Sequence, residues 1–314
     1  MSFPVYLTGT VPLHAAERQT VEPLHHRTCC ATTCGFSSSN RSTRLNIIAA
    51  NRNPVLLRGL IMTRRSVHPV APPIQHDTLF RSILLHLVPG VFIVLFYTLI
   101  GAPLAAWISY PPLFGLLLAV LFVLIPTQLG YLLYQGKQQQ GHFTLHGVIQ
   151  YRNHIPPRRL AAIVLLLTGW AFFITFAFSF VDRAVFNQFF AWVPEWFLLT
   201  GSTTAYSRTS LIVTLVLSIL VTGIAAPLVE ELYFHGYLLP RLAHLGRWAP
   251  IINTALFCVY HFWTPWQVVT RFLYVLPTTY VLWRKQSLAI GIWQHCFGNT
   301  LGGTLMLLGA LVQA

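Results

Sequence analysis

Long apolar runs alternate with short polar ones along this chain, and the run lengths decide its class. About 20 apolar residues cross a bilayer as an α-helix. Runs of that order occupy residues 83–107, 113–134 and 160–181. A fourth begins at 211–226 and continues past Pro227 to about 239. Residues 251–263 form a shorter run, and 267–283 and 288–312 close the chain. The pattern predicts an all-α, polytopic membrane helix bundle of about seven transmembrane helices. No internal or inverted repeat is visible, which counts against a secondary transporter.

Residues 1–75 differ from the rest. They are rich in Ser, Thr, Arg, His and Pro, and a stretch such as "TTCGFSSSNRSTR" reads as a poorly ordered basic N-terminal extension. No secretory h-region opens the chain. Met62 begins "MTRRSVHPVAPPIQHD", a basic lead into the first run, and a start at Met62 would open the protein there. Cys29, Cys30 and Cys34 lack a second close Cys/His cluster, so they do not read as a zinc site. Cys258 and Cys296 lie in apolar runs and read as small buried thiols.

Composition agrees with the pattern. Of 314 residues, 55% are hydrophobic and only 9% charged, against roughly 25% charged in soluble domains. The net charge of +13 falls mostly in short loops and in the N-terminal tract. Arg64, Arg65 and Arg81 precede the first run, and Lys137, Arg152, Arg158 and Arg159 lie between the second and third. Arg241 and Arg247 follow the fourth, and Arg284 and Lys285 precede the last. Seven alternating helices would put all of these on one side, the cytoplasmic one. The opposite loop, 182–208, carries Phe189, Phe190, Trp192, Trp196 and Phe197, residues suited to a membrane interface. Arg271 does not fit this distribution. The charge therefore points to a lipid bilayer as partner, with no nucleic acid. It implies a multi-pass integral membrane protein, expected in a bacterial cytoplasmic membrane.

Only seven acidic residues occur in the chain, and two stand side by side in an apolar run, in "PLVEELYFHG". Ionisable groups in membrane helices are costly, and are functional or paired. Glu230 and Glu231 with His235, His261 in "ALFCVYHFW", and His295 with Asn299 in "WQHCFGNTLGG" form such a set. Glu231 and His235, at i and i+4, lie about 40° apart on a helix and can touch, whereas Glu230 and His235 are about 140° apart. His295 and Asn299 again share a face, and Gly298, Gly302 and Gly303 allow close helix packing. Pro227 removes a backbone bond just before the carboxylates, which is tolerable where protein or water replaces the partner. Each residue also has a plain structural role open to it: an ion pair for Glu231 and His235, a core hydrogen bond for His261, a helix–helix bond for Asn299. His86, His244 and Cys258 read as structural.

A glutamate held away from bulk water can act as a general base. With His261 it can polarise a water molecule, while His295 and Asn299 can donate to a carbonyl oxygen as it becomes an oxyanion. These are the parts needed to hydrolyse an amide within the membrane. No Ser nucleophile motif and no HExxH pattern accompanies them.

The three segments resemble the CPBP family of intramembrane proteases, the group that contains the Rce1-type CAAX prenyl endopeptidase and bacterial Abi proteins. The family pattern is Glu-Glu-x-x-x-Arg, then Phe-x-x-x-His, then His-x-x-x-Asn. This chain has Glu230-Glu231-Leu-Tyr-Phe-His235, then Phe257 to His261, then His295 to Asn299. The resemblance runs from about residue 211 to the C-terminus. The first three runs, 83–181, match only as N-terminal membrane helices, and the resemblance implies a catalytic membrane domain over 205–314. It implies Glu230 as general base with His261, His295 and Asn299 at the oxyanion, and Glu231 in support. His235 stands where the family keeps an arginine. Arginine is always charged and forked, and histidine is neither. The implied activity is an intramembrane endopeptidase acting on a membrane-anchored protein or peptide. The alternatives are a non-catalytic immunity or scaffold protein of the same fold, and a proton-coupled transporter. The glutamate-type reading needs no metal; zinc is the cofactor that two Glu and three His would otherwise suit.

Overall fold

The computed structural model describes residues 75–199 and 205–312. The expected N-terminal extension, with Met62, Cys29, Cys30 and Cys34, lies outside the described residues. Helix is the regular structure, and no strand occurs among the described residues. Chain order gives α1 (Leu79–Trp107), α2 (Pro112–Gln140), α3 (Pro157–Ala177) and the short α4 (Ser179–Val185). It continues with α5 (Arg208–Arg241), α6 (Trp248–Val259), α7 (Val268–Lys285) and α8 (Leu288–Val312).

Helix ends follow local chemistry. The hydroxyls of Thr78 and Ser207 accept from the Arg81 and Ser210 amides and open α1 and α5. Pro112 and Pro157 stand at first positions, where a missing N–H costs nothing. Gly141 at φ 80° ends α2.

Among the described residues five helices, α1, α2, α3, α5 and α8, are long and apolar enough to cross a membrane. The expected count of about seven is therefore not reached on those terms. The 12 residues of α6 rise about 18 Å, against a hydrocarbon core of about 30 Å. α7 carries Arg271, Arg284 and Lys285. Both still lie in the bundle, α6 against α7 and α7 against α3 and α8.

The rods run alternately up and down. At one end the Asp77 amide meets the Arg241 carbonyl, and Arg152 and Ser287 form an isolated antiparallel bridge. The basic loops before α1, after α2, after α5 and before α8 thus gather together. At the other end the Tyr97 hydroxyl donates to the Phe197 carbonyl, and Phe186 packs edge-on against Trp266. There Asp182 of α4 accepts from the Thr270 hydroxyl at 2.5 Å. Burial pushes the Asp182 carboxyl above its ordinary range, and the Thr270 bond acts against that rise.

The bundle is apolar outside, and its largely apolar interior also buries polar side chains. Leu99, Phe122, Leu166 and Phe176 face outward, while Gln128, Thr214, Asn253, Thr279 and both glutamates are buried. In lipid, packing and interhelical hydrogen bonds hold helices together where the hydrophobic effect cannot. Gly101 and Gly115 make the α1–α2 crossing: a Cβ on Gly101 would stand 2.5 Å from the Gly115 carbonyl oxygen.

Candidate active site

The site begins with a disturbance in α5. The helix widens to i→i+5 turns over Val221–Ala225 and again over Glu231–Leu238. Such turns are rare and gather at functional positions. In a regular turn the Gly223 carbonyl would accept from residue 227, which as proline has no N–H, and the Thr222 carbonyl would accept from Ala226, whose N–H goes to Val221 instead. α8 replaces both donors. Asn299 Nδ2 donates to the Thr222 carbonyl at 2.9 Å, and the Thr300 hydroxyl donates to the Gly223 carbonyl at 3.3 Å. The break thus holds α8 beside α5 about two turns before the two glutamates.

Glu231 is the hub. Its Oε2 accepts from His235 Nδ1 at 2.7 Å, so the i, i+4 contact forms, and its Oε1 accepts from His295 Nδ1 at 3.0 Å. The far ring nitrogen of His235 lies 3.2 Å from the Thr279 hydroxyl of α7. Gly291 of α8 makes room for the carboxylate: a Cβ there would sit 2.1 Å from Glu231 Oε2. Two helices, α5 and α8, therefore meet on this side chain, and α7 joins them through His235.

Glu230 points elsewhere. Its Oε1 accepts from the Tyr260 hydroxyl at 3.0 Å, and its Oε2 lies 3.9 Å from His295 Nε2. His295 thus stands between the two glutamates, one ring nitrogen towards each. His261 gives its Nδ1 hydrogen to the Phe257 carbonyl at 2.8 Å, leaving Nε2 as the ring's lone-pair nitrogen.

A cleft opens within this group. Its lining includes Glu231, His235, His261, His295, Gln294 and Arg271. Arg271 is only 1% exposed, so it belongs to the bundle interior and not to a loop, which explains its poor fit to the loop charges. Its Nη2 donates to Thr264 Oγ1 and Gln267 Oε1. Four of the six residues singled out from sequence share this cleft; Glu230 joins them through His295. Asn299 stands one turn further along α8, with one amide hydrogen on Thr222 and its Oδ1 buried without a partner.

Asn299→Ala is expected to strip the Thr222 carbonyl of its donor. The expected loss is about 1–2 kcal/mol, the size of a strong interhelical hydrogen bond in a membrane. A lowered thermal midpoint in detergent would register it.

A zinc site needs three or four protein donors converging on one point. Among the described residues no three His, Cys, Asp or Glu side chains are grouped to hold a metal ion. Both Glu231 oxygens are already taken by histidine nitrogens. The residues present do not fit zinc, and the chemistry below uses none.

Sequence reasoning passed over Tyr260, Gln128, Thr279 and Gly291. Tyr260 adjoins His261, and Gln128 is a lone amide in the apolar run "VLIPTQLG"; both signals were available. No curated protein and no solved structure matches the chain. The segment that holds both glutamates, the three histidines and Asn299 does match a family. Residues 212–301 match the model of the Rce1-like family, described as type II CAAX prenyl endopeptidase Rce1-like, so α5 to α8 are similar to that family over this segment.

Proposed function

We propose that the protein is an intramembrane endopeptidase that hydrolyses a peptide bond of a membrane-anchored protein or peptide. The observation that carries this reading is the convergence of Glu230 and Glu231 on His295, which lines one cleft with His261. The Rce1-like match over the same helices supports it.

The chemistry follows from which atoms are engaged. Glu230 Oε1 is held by Tyr260, so Oε2 is the oxygen that takes a proton. A water between Oε2 and the scissile carbonyl gives that proton up as its oxygen attacks the carbonyl carbon. The lone-pair nitrogen of His261 holds the water's second hydrogen. The carbonyl π electrons move onto oxygen, and the oxyanion takes hydrogen bonds from the second amide hydrogen of Asn299 and from Nε2–H of a His295 ring protonated on both nitrogens, its Nδ1–H staying on Glu231. The proton on Glu230 then passes to the amine nitrogen as the C–N bond breaks. Glu231 keeps the His295 ring turned for this work.

The apolar, aromatic-rich helices suit a membrane-anchored substrate. A second reading, a non-catalytic membrane protein of the same fold, is favoured by one feature: His235 occupies the position of the family arginine. Comparative membrane proteomics separates the two. Cells with the wild-type protein are expected to contain protein fragments that vanish when it is replaced by Glu230→Gln. Identical fragment sets would leave the non-catalytic reading standing.

A further inference from the structure

Glu230 sits at the end of a hydrogen-bond chain that none of the motifs includes. Gln128 Nε2 of α2 donates to the Tyr260 hydroxyl oxygen at 3.1 Å, and that hydroxyl donates to Glu230 Oε1 at 3.0 Å. Gln128, Tyr260 and Glu230 are all buried.

The chain has a direction. An amide N–H can only donate, and a carboxylate can only accept. With Gln128 giving a hydrogen to the phenol oxygen, the phenol's own hydrogen is left for Glu230. Two donors in series also polarise one another, which strengthens the second bond. Oε2, the oxygen facing His295, is thereby kept as the one open to a proton.

Tyr260 is held from every side. Its ring packs on Phe234 at 4.8 Å and on Trp263 at 5.3 Å between centroids. On α1, Gly90 lies so close that a Cβ there would stand 2.2 Å from the Tyr260 carbonyl oxygen. Glycine is the residue that lets α1 approach this far. Residue 261 follows directly, so the turn that aims the phenol also aims His261.

The geometry points to Tyr260 and Gln128 as positioning residues for Glu230, with Gly90 seating the Tyr260 backbone. The assignment rests on the reading of Glu230 as the general base. It gives a task to α1 and α2, which lie outside the Rce1-like segment 212–301. Neither positioning residue needs to touch substrate.

The test reads Glu230 directly and needs no substrate. Infrared difference spectra of the detergent-solubilised full chain, wild type minus Glu230→Gln, isolate the Glu230 carboxyl band. Repeating the subtraction in Tyr260→Phe, which keeps the ring and removes only the hydroxyl, is expected to shift that band. Gln128→Leu is expected to shift it in the same direction by less. Added to Tyr260→Phe, Gln128→Leu is expected to add nothing, because its effect passes through the hydroxyl. A purely structural role for either residue would change the thermal midpoint and leave the band in place.

An unmoved band in a folded Tyr260→Phe protein overturns the proposal, as does a Gln128→Leu shift that persists without the hydroxyl. Failure of the protease reading shows separately, as fragment sets that ignore Glu230→Gln while the band still moves.

Discussion

Purified in detergent, the Glu230→Gln protein is expected to fold as the wild type does and to cleave about 10²–10⁴-fold more slowly, the usual contribution of a positioned general base. Glutamine fills the same space, and its carbonyl oxygen can still accept from Tyr260. What it lacks is a carboxylate oxygen opposite His295 Nε2 able to take a proton from water. The loss should fall on kcat and leave KM near its original value, because the group acts on the water rather than on substrate binding. Turnover of a membrane-anchored peptide that the wild type cleaves, followed with equal amounts of each folded protein, makes the comparison. Full activity in Glu230→Gln would remove the glutamate from the mechanism.

Removing Glu231 is expected to hurt stability most. Its carboxylate is buried and accepts from His235 and His295 at once, on two helices. Glu231→Ala leaves the buried His235 ring and the half-buried His295 ring without their acceptor and opens a space beneath Gly291. Breaking a buried pair by deleting one partner costs about 3–5 kcal/mol. The expected result is a large fall in thermal midpoint, with turnover lost as well because His295 is no longer oriented. A Glu231→Ala protein that melted like the wild type would show that its two histidine contacts contribute little to holding α5, α7 and α8 together.

The two effects differ because the two neighbouring carboxylates face different partners. The touching pair was legible in the sequence, since residues at i and i+4 meet on a helix. The angle set for Glu230 and His235, however, assumed 3.6 residues per turn, whereas the segment winds in i→i+5 turns. The long helices were legible too, because apolar runs of about 20 residues have few other uses. α6 and α7 were harder. One is short, and the other hides a buried arginine, so run length and hydropathy no longer measure what their surroundings provide. The proline in "PLVEEL" announced that some other group must serve a freed carbonyl, yet could not name Asn299 and Thr300, 77 residues away from their partners. The Gln128–Tyr260 bond joins residues 132 apart, and no local pattern encodes such a pairing. A rule that searched membrane helices for ionisable groups alone passed over an amide and a phenol.

The contacts between α5 and α8 share a further property. Ile219 meets Gly303, Thr222 meets Asn299, and Glu231 meets His295 and Gly291, so numbers rise on one helix as they fall on the other. The pair behaves as an antiparallel zipper whose teeth are a proline break at one height and a carboxylate at another. A slip of one residue moves α8 by about 1.5 Å and turns it by about 100°. It would unmake both teeth together. Docking of the last helix and completion of the Glu230–His295–Glu231 arrangement are therefore a single event, because His295 comes from α8.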